Sequence, residues 1–198
     1  MVRSIVPVAA ILARVANEVG YPCLIKSPCQ GSSIGMAIPK DEAHFKKSLL
    51  DVFMYGDLVM VEKFVKGTEV TCAVLDVEDG KSPRALPVIE ICPVDSEFFD
   101  YHAKYTPGAC NEIVPARISA EATKKVQAVA ERVHHVIGCS GFSRSDMILD
   151  GDDPVWIEIN TIPGMTETSL YPQAAAAAGV SFSQMLTLFV EEALQRNT

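Results

Sequence analysis

Arg144, Asp146, Glu158 and Asn160 sit in two apolar runs, SRSDMILD and PVWIEIN, on either side of the polar stretch GDD. Folding the chain back at Asp152 sets Asp146 opposite Glu158 and Arg144 opposite Asn160. Strand side chains alternate, so these four predict one polar face, with Met147, Leu149, Val155, Ile157 and Ile159 on the other. Two carboxylates on neighbouring strands repel unless a cation joins them. Asp, Glu and an Asn carbonyl are hard oxygen donors of the kind Mg²⁺ takes, with water and phosphate oxygens completing its shell. The plain alternative is a solvated sheet face on which Arg144 pairs with Asp146, since polar faces on antiparallel sheets are common. Against it stands NTIPGMT (160–166), whose Pro-Gly turn follows the ligands directly and can present backbone N–H groups to an anion.

A second group suits phosphate. The two commonest nucleotide loops, G-x-x-x-x-G-K-[ST] and G-x-G-x-x-G, are absent. Instead KSPCQGSSIG (26–35) sets a Lys at a strand end before a small-residue turn whose N–H and hydroxyl groups can lie over a polyphosphate. An ordinary β-hairpin is the alternative. VMVEKFVKGTEV (59–70) carries Glu62 and Glu69 on either side of a turn, suited to ribose hydroxyls or an adenine amino group, or else two exposed sheet carboxylates.

These residues need a scaffold, and the periodicities supply one. Ile5, Val8, Leu12, Val15 and Val19 recur at steps of three and four, which predicts an amphipathic first helix rather than the secretory signal that its basic start and short apolar run also suggest. Strands are predicted at 22–26 and 33–38 around the Gly-Ser loop, and a helix at 41–54 with Asp41 at its cap. Apolar strands follow at 57–65, 68–77 and 85–92. Residues 93–116, rich in Pro, Gly and aromatics, read as a long irregular loop of the kind that is usually functional or disordered. Then come a helix at 120–137, strands at 141–149 and 154–161, and a final helix opened by a capping box from Ser181 to Gln184. Sheets interrupted by helices, with hairpins, predict an α+β fold.

Composition narrows the partners. A chain of 198 residues, 48% hydrophobic and 21% charged, is an ordinary globular one. A net charge of -8 and a pI near 5.0 disfavour nucleic acid and anionic membranes, which need clustered Lys and Arg. No run is long enough to span a bilayer. Six cysteines without a C-x-x-C pair favour reduced thiols and a cytoplasmic location. Cys29 reads as a bystander in its loop, His134 and His135 lack further ligands at metal spacing, and Trp156 with Phe98, Phe99 and Tyr101 reads as packing rather than base stacking.

Taken in order, Lys26, the 31–35 loop, Glu62 with Glu69, YHAKY (101–105), RSD (144–146) and EINTIPGMTETSLYP (158–172) strongly resemble the D-alanine–D-alanine ligases of the ATP-grasp superfamily. The resemblance covers nearly the whole chain and rests most firmly on EINTIPGMT followed by SLYP. It implies two α+β units gripping ATP between antiparallel sheets: 1–77, a small central subdomain with the N-terminal helix, and 78–198, a C-terminal catalytic subdomain. It also implies that Lys26 contacts ATP phosphate, that Ser32 and Ser33 belong to the glycine-rich loop, that Glu62, Lys63 and Val65 line the adenine pocket and that Glu69 holds the ribose. Lys104 and Tyr105 fall on a mobile loop that closes the site; Tyr105 matches the dipeptide-forming ligases rather than those making the D-alanyl-D-lactate ester. By the same resemblance Asp146, Glu158 and Asn160 bind two Mg²⁺ ions, for which Mn²⁺ can substitute. Arg144 and the N–H of Gly164 stabilise a tetrahedral intermediate, and Ser169 with Leu170 holds the second substrate's carboxylate. The implied activity joins two molecules of D-alanine through an acyl phosphate for peptidoglycan precursor synthesis. The alternatives are an ATP-binding module without ligase turnover, truncated or dependent on a partner, and an ATP-grasp ligase for another amino acid. Family members carry a further domain before this region, missing here, and are commonly homodimers.

Overall fold

The computed structural model describes residues 7–31, 33–76, 83–93, 110–166 and 168–195. The chain forms two compact units that divide between Val65 and Lys66.

In the first unit, helix α1 (Val8–Arg14) runs into one π turn (Val15–Val19), followed by β1 (Cys23–Lys26), α2 (Glu42–Phe53) and β2 (Met60–Lys63). The Asp41 carboxylate accepts the His44 N–H and so starts α2. Phe45, Leu49 and Val52 recur at helical spacing and bury one stripe of α2 against Leu12, Val15, Cys23 and Ile25. Val8, in the first turn of α1, is 54% exposed although the sequence pattern placed it on the buried stripe with Leu12 and Val15. The strand expected at 33–38 does not form. Ser33 has φ 59, the backbone turns there, and Ala37 alone bridges to Ile25. The neighbour of β1 is β2, antiparallel, from Cys23 opposite Lys63 to Lys26 opposite Met60.

The second unit is built on a six-stranded antiparallel sheet in the order β6-β5-β3-β7-β8, with β4 added to β3. Its strands are β3 (Thr68–Asp76), β4 (Arg84–Ala85), β5 (Ile89–Pro93), β6 (Cys110–Ile113), β7 (Gly141–Asp150) and β8 (Asp153–Asn160). Helix α3 (Ala120–Ile137) covers one face, where Ala122, Val126 and Ala130 pack on Val70, Cys72, Val74, Met147 and Leu149. Helices α4 (Leu170–Ala177) and α5 (Phe182–Gln195) cover part of the other, where Tyr171, Ala174, Ala175 and Met185 pack on Ala73, Leu75 and Ile89. The Tyr171 hydroxyl reaches the Val74 carbonyl at 2.9 Å, and the Phe142 and Phe189 rings stack at 4.1 Å. On the α3 face Glu90 is 8% exposed and accepts from the Arg117 backbone N–H, Nε and Nη2. The Arg117 side chain holds that carboxyl at about 2, well below the usual range, against the opposing effect of burial.

The subdomain boundary expected at residue 77 is corrected to 65/66. Strand β3 pairs along its whole length with β7, from Thr68 opposite Leu149 to Asp76 opposite Gly141, so it belongs to the second sheet. The stretch 85–92 divides into β4 and β5, and β6 lies within the segment read as an irregular loop. The alanine-rich stretch before the last helix is itself helical, as α4.

Candidate functional site

Eleven residues separate Asp146 from Glu158. The hairpin turns on Gly151 and Asp152, with Asp150 opposite Asp153 and Gly151 at φ 63, a left-handed value that glycine adopts without strain. A two-residue turn leaves nine residues to share between two strands, so one of them has no opposite. That residue is Ile157: Met147 pairs with Trp156 and Asp146 pairs with Glu158, and the register shifts between them. Without the shift Asp146 would face Ile157, and Glu158 would point to the α3 side. With it, Asp146 stands opposite Glu158 and Arg144 opposite Asn160, as the sequence predicted. The same bulge corrects the apolar face. Val155 pairs with Ile148 and shares the polar side's parity, while Trp156, 41% exposed, takes the position opposite Met147. The turn is tied to α3 by Ser119 Oγ to Asp152 at 3.0 Å and Lys125 Nζ to Asp153 at 2.8 Å.

The Asp146 carboxylate accepts four hydrogen bonds. Its Oδ1 takes Thr71 Oγ1 at 2.6 Å and Arg144 Nε at 3.0 Å; its Oδ2 takes Arg144 Nη2 at 2.8 Å and Asn160 Nδ2 at 3.2 Å. The Arg144 and Asp146 side chains are 16% and 15% exposed. Glu158 is exposed and makes no side-chain hydrogen bond or ion pair among the described residues. Two carboxylates thus face one another across the strands while the Arg144 guanidinium closes on Asp146, an excess of negative charge among the described residues that a hard cation would balance. Among the described residues no three His, Cys, Asp or Glu side chains form a metal cluster. Two carboxylates and an amide fall short of a full cage, which fits a Mg²⁺ that keeps water and phosphate oxygens in its shell.

The segment that follows β8 folds back on itself. Ser169 Oγ accepts the Thr166 N–H at 3.0 Å and lies 2.8 Å from Thr166 Oγ1. A Cβ at Gly164 would come 2.8 Å from Ser169 Oγ, so only glycine lets the two approach and leaves the 164 backbone open. Ser169 stands at the N-cap of α4 without capping it by its side chain, and the N–H groups of Leu170 and its neighbours begin that helix. On β3, Glu69 is half-buried opposite Ile148 and Ile91, on the face of Asp146. It adds slightly to the pressure on Cys110, whose thiol burial pushes up to about 11.

In the first unit Lys26 and Glu62 form an ion pair at 2.6 Å, diagonal neighbours on the face of the β1–β2 sheet that points away from Cys23 and Ile25. Lys63 alternates to the opposite face, so it offers Glu62's side only its backbone. Val65 is half-buried just beyond β2. The glycine-rich loop is held by Gln30 Nε2 and Ser27 Oγ, both donating to the Tyr55 carbonyl, at 3.1 and 3.4 Å. Ser32, Lys104 and Tyr105 lie outside the described residues, as do Phe98, Phe99 and Tyr101. The structure brings together Arg144, Asp146, Glu158 and Asn160 and, separately, Lys26 with Glu62. The residue that the sequence reading missed is Thr71. Its signal was a threonine two positions after Glu69 in a predicted strand, hence on the same face.

A family model described as "D-ala D-ala ligase C-terminus" matches residues 6–191. A D-alanine–D-alanine ligase of Syntrophobacter fumaroxidans is 46% identical over 185 residues, 93% of this chain and 58% of that protein. Among solved structures, the D-Ala:D-Ser ligase VanG of Enterococcus faecalis is 38% identical with a TM-score of 0.76, over 92% of this chain and 52% of that one. The D-alanine–D-alanine ligase of Bacillus anthracis complexed with ATP is 28% identical with a TM-score of 0.74, over 98% of this chain and 57% of that one. The chain therefore spans less than three fifths of the relatives it matches. These neighbours share the ATP-grasp α+β architecture expected from the sequence. Among the described residues no single helix is long and apolar enough to cross a bilayer.

Proposed function

The chain belongs to the family of D-alanine–D-alanine ligase C-terminal regions, and from that premise we propose that it is the ATP-binding catalytic part of a Mg²⁺-dependent ligase joining two molecules of D-alanine. The carrying observation is the register of β7 on β8, which gathers Asp146, Glu158, Asn160 and Arg144 on one face. When bound there, Mg²⁺ supplies charge neutralisation at the transferring phosphoryl group.

The residues then have distinct tasks. Lys26 and the loop pinned to Tyr55 bind phosphate, with Ser32 and Ser33 in that loop. Glu62, the Lys63 backbone and Val65 receive the adenine, and Glu69 the ribose. A carboxylate oxygen of the first D-alanine attacks the γ-phosphorus; an O–P bond forms, the bond to ADP breaks, and an acyl phosphate results. The amine of the second D-alanine then attacks the acyl carbon, a C–N bond forms, the amine loses a proton and phosphate leaves. Arg144 and the open N–H of Gly164 stabilise the oxyanion of that tetrahedral intermediate. The Ser169 hydroxyl and the Leu170 N–H at the start of α4 orient the second carboxylate. Lys104 and Tyr105 close the site against water, which protects the acyl phosphate from hydrolysis.

Calorimetric ATP binding, paired with ADP and phosphate release from ATP and Mg²⁺ with and without D-alanine, tests this reading. Release stimulated by D-alanine, with dipeptide formed, supports it. Binding without stimulated release selects the second reading, a nucleotide-binding module that turns over only with a further domain or partner. The 38% identity to a D-Ala:D-Ser ligase makes D-serine the second amino acid to assay.

A further inference from the structure

Resting on the metal-site reading above, the geometry points to Thr71 as a positioning residue for Asp146, its hydroxyl fixing one carboxylate oxygen while donors on the other give way to the cation. Thr71 on β3 stands directly opposite Asp146 on β7 and is 1% exposed. Its Oγ1 lies 2.6 Å from Asp146 Oδ1 and 3.2 Å from the Ser145 carbonyl. A hydroxyl has one proton to donate, and the shorter contact to a charged acceptor takes it. Branching at Cβ restricts the side chain, and burial leaves the hydroxyl no solvent to turn to.

A carboxylate offers about four acceptor positions, and Asp146 fills them with Thr71, Asn160 and two nitrogens of Arg144. A cation arriving at Asp146 must therefore displace a donor. Arg144 is long, flexible and partly exposed, so it can swing toward the reacting group. Asn160 can turn its amide over, presenting Oδ1 to the cation where Nδ2 now faces Asp146. Thr71 is the donor that stays. It keeps Asp146 in one orientation through the exchange, as outer hydrogen-bond partners do for metal ligands generally.

The test uses the whole chain with Mn²⁺ as the probe, titrated in the presence of ATP and followed by the paramagnetic resonance signal of free Mn²⁺, alongside calorimetric ATP binding in EDTA. Thr71→Val should weaken Mn²⁺ about 10- to 100-fold, Thr71→Ser should restore it to within about threefold, and neither should change ATP binding in EDTA. Should Thr71→Val fail to fold by circular dichroism, Thr71→Ala carries the same expectation. Mn²⁺ affinity equal to wild type in Thr71→Val overturns the proposal. So does an equal loss of ATP binding in EDTA, which marks a packing defect. Asp146→Asn separates the two levels. If it keeps wild-type Mn²⁺ affinity, the metal-site reading fails and Thr71 with it; if it loses Mn²⁺ while Thr71→Val does not, Thr71 alone is refuted.

Discussion

On the α3 side of the six-stranded sheet Arg117 closes on Glu90, and on the other side Arg144 closes on Asp146. Both pairs are bidentate, yet their surroundings differ. Glu90 is nearly buried, takes the Arg117 backbone N–H as well as its guanidinium, and pins the segment that leads into α3. Its charge is balanced by the Arg117 guanidinium, and the Cys92 thiol donates to its Oε1 at 3.3 Å as well. Asp146 has Glu158 opposite, which pairs with no cation among the described residues, so the same ion-pair chemistry leaves more negative charge on this face. A guanidinium beside a carboxylate is thus a staple in one setting and an exchangeable counter-ion in the other, and the neighbouring unpaired carboxylate makes the difference.

The sharpest way to break that comparison is to remove the surplus charge. Glu158→Gln should lower metal-dependent phosphate release on the order of 10³-fold, since a metal's Lewis acidity is worth several kcal/mol. Unfolding stability should move by no more than about 0.5 kcal/mol, because the side chain is exposed. Unchanged release takes Glu158 out of the ligand set. Arg117→Met comes next: it leaves a nearly buried carboxylate with only the residue-117 backbone N–H and the Cys92 thiol as donors, and should lower the urea midpoint at neutral pH, with no recovery on adding Mg²⁺ and ATP. Arg144→Met should cost less, about 1–2 kcal/mol in EDTA, and regain that loss with Mg²⁺ and ATP, because ligands that bind only the folded state stabilise it. If Arg117→Met recovers as fully, the distinction between the two pairs is wrong. The smallest effect is in acid. Glu90 has a folded-state value of about 2 against 4.5 for an ordinary glutamate, so its contribution is complete above 4.5 and fades as pH falls toward 2. Between pH 6 and pH 3.5 the stability gap between wild type and Arg117→Met should narrow; a constant gap would assign the loss to packing.

Much of this was legible in the sequence, for reasons that vary by element. Helix α3 begins and ends where its apolar stripe does, α2 starts at Asp41, and the capping box of α5 forms as reciprocal bonds between Ser181 and Gln184. Local chemistry decides these. The pairing of Asp146 with Glu158 was readable because the two lie equally far from Asp152 on either side, although the bulge that accomplishes it was not. What failed depended on distant partners. Residues 33–38, after the Gly-Ser loop, had the composition of a strand, but β1 finds its mate in residues 60–63, and β3 is claimed by β7 rather than by the strand just before it. Strand β6 was hidden because four residues between prolines carry little alternation of their own and become a strand only beside β5. Thr71 was overlooked for the same reason: its role exists only opposite Asp146.

The bulge at Ile157 also constrains how this hairpin can vary among relatives. Adding or deleting two residues between Asp146 and Glu158 merely lengthens or shortens the ladder and leaves both acids facing each other. Adding or deleting one changes the parity, and the carboxylates stay together only if the turn grows to three residues or the unpaired position is lost. Aligned sequences of this region should therefore show gaps of even size, or single gaps that coincide with a regular, unbulged β8.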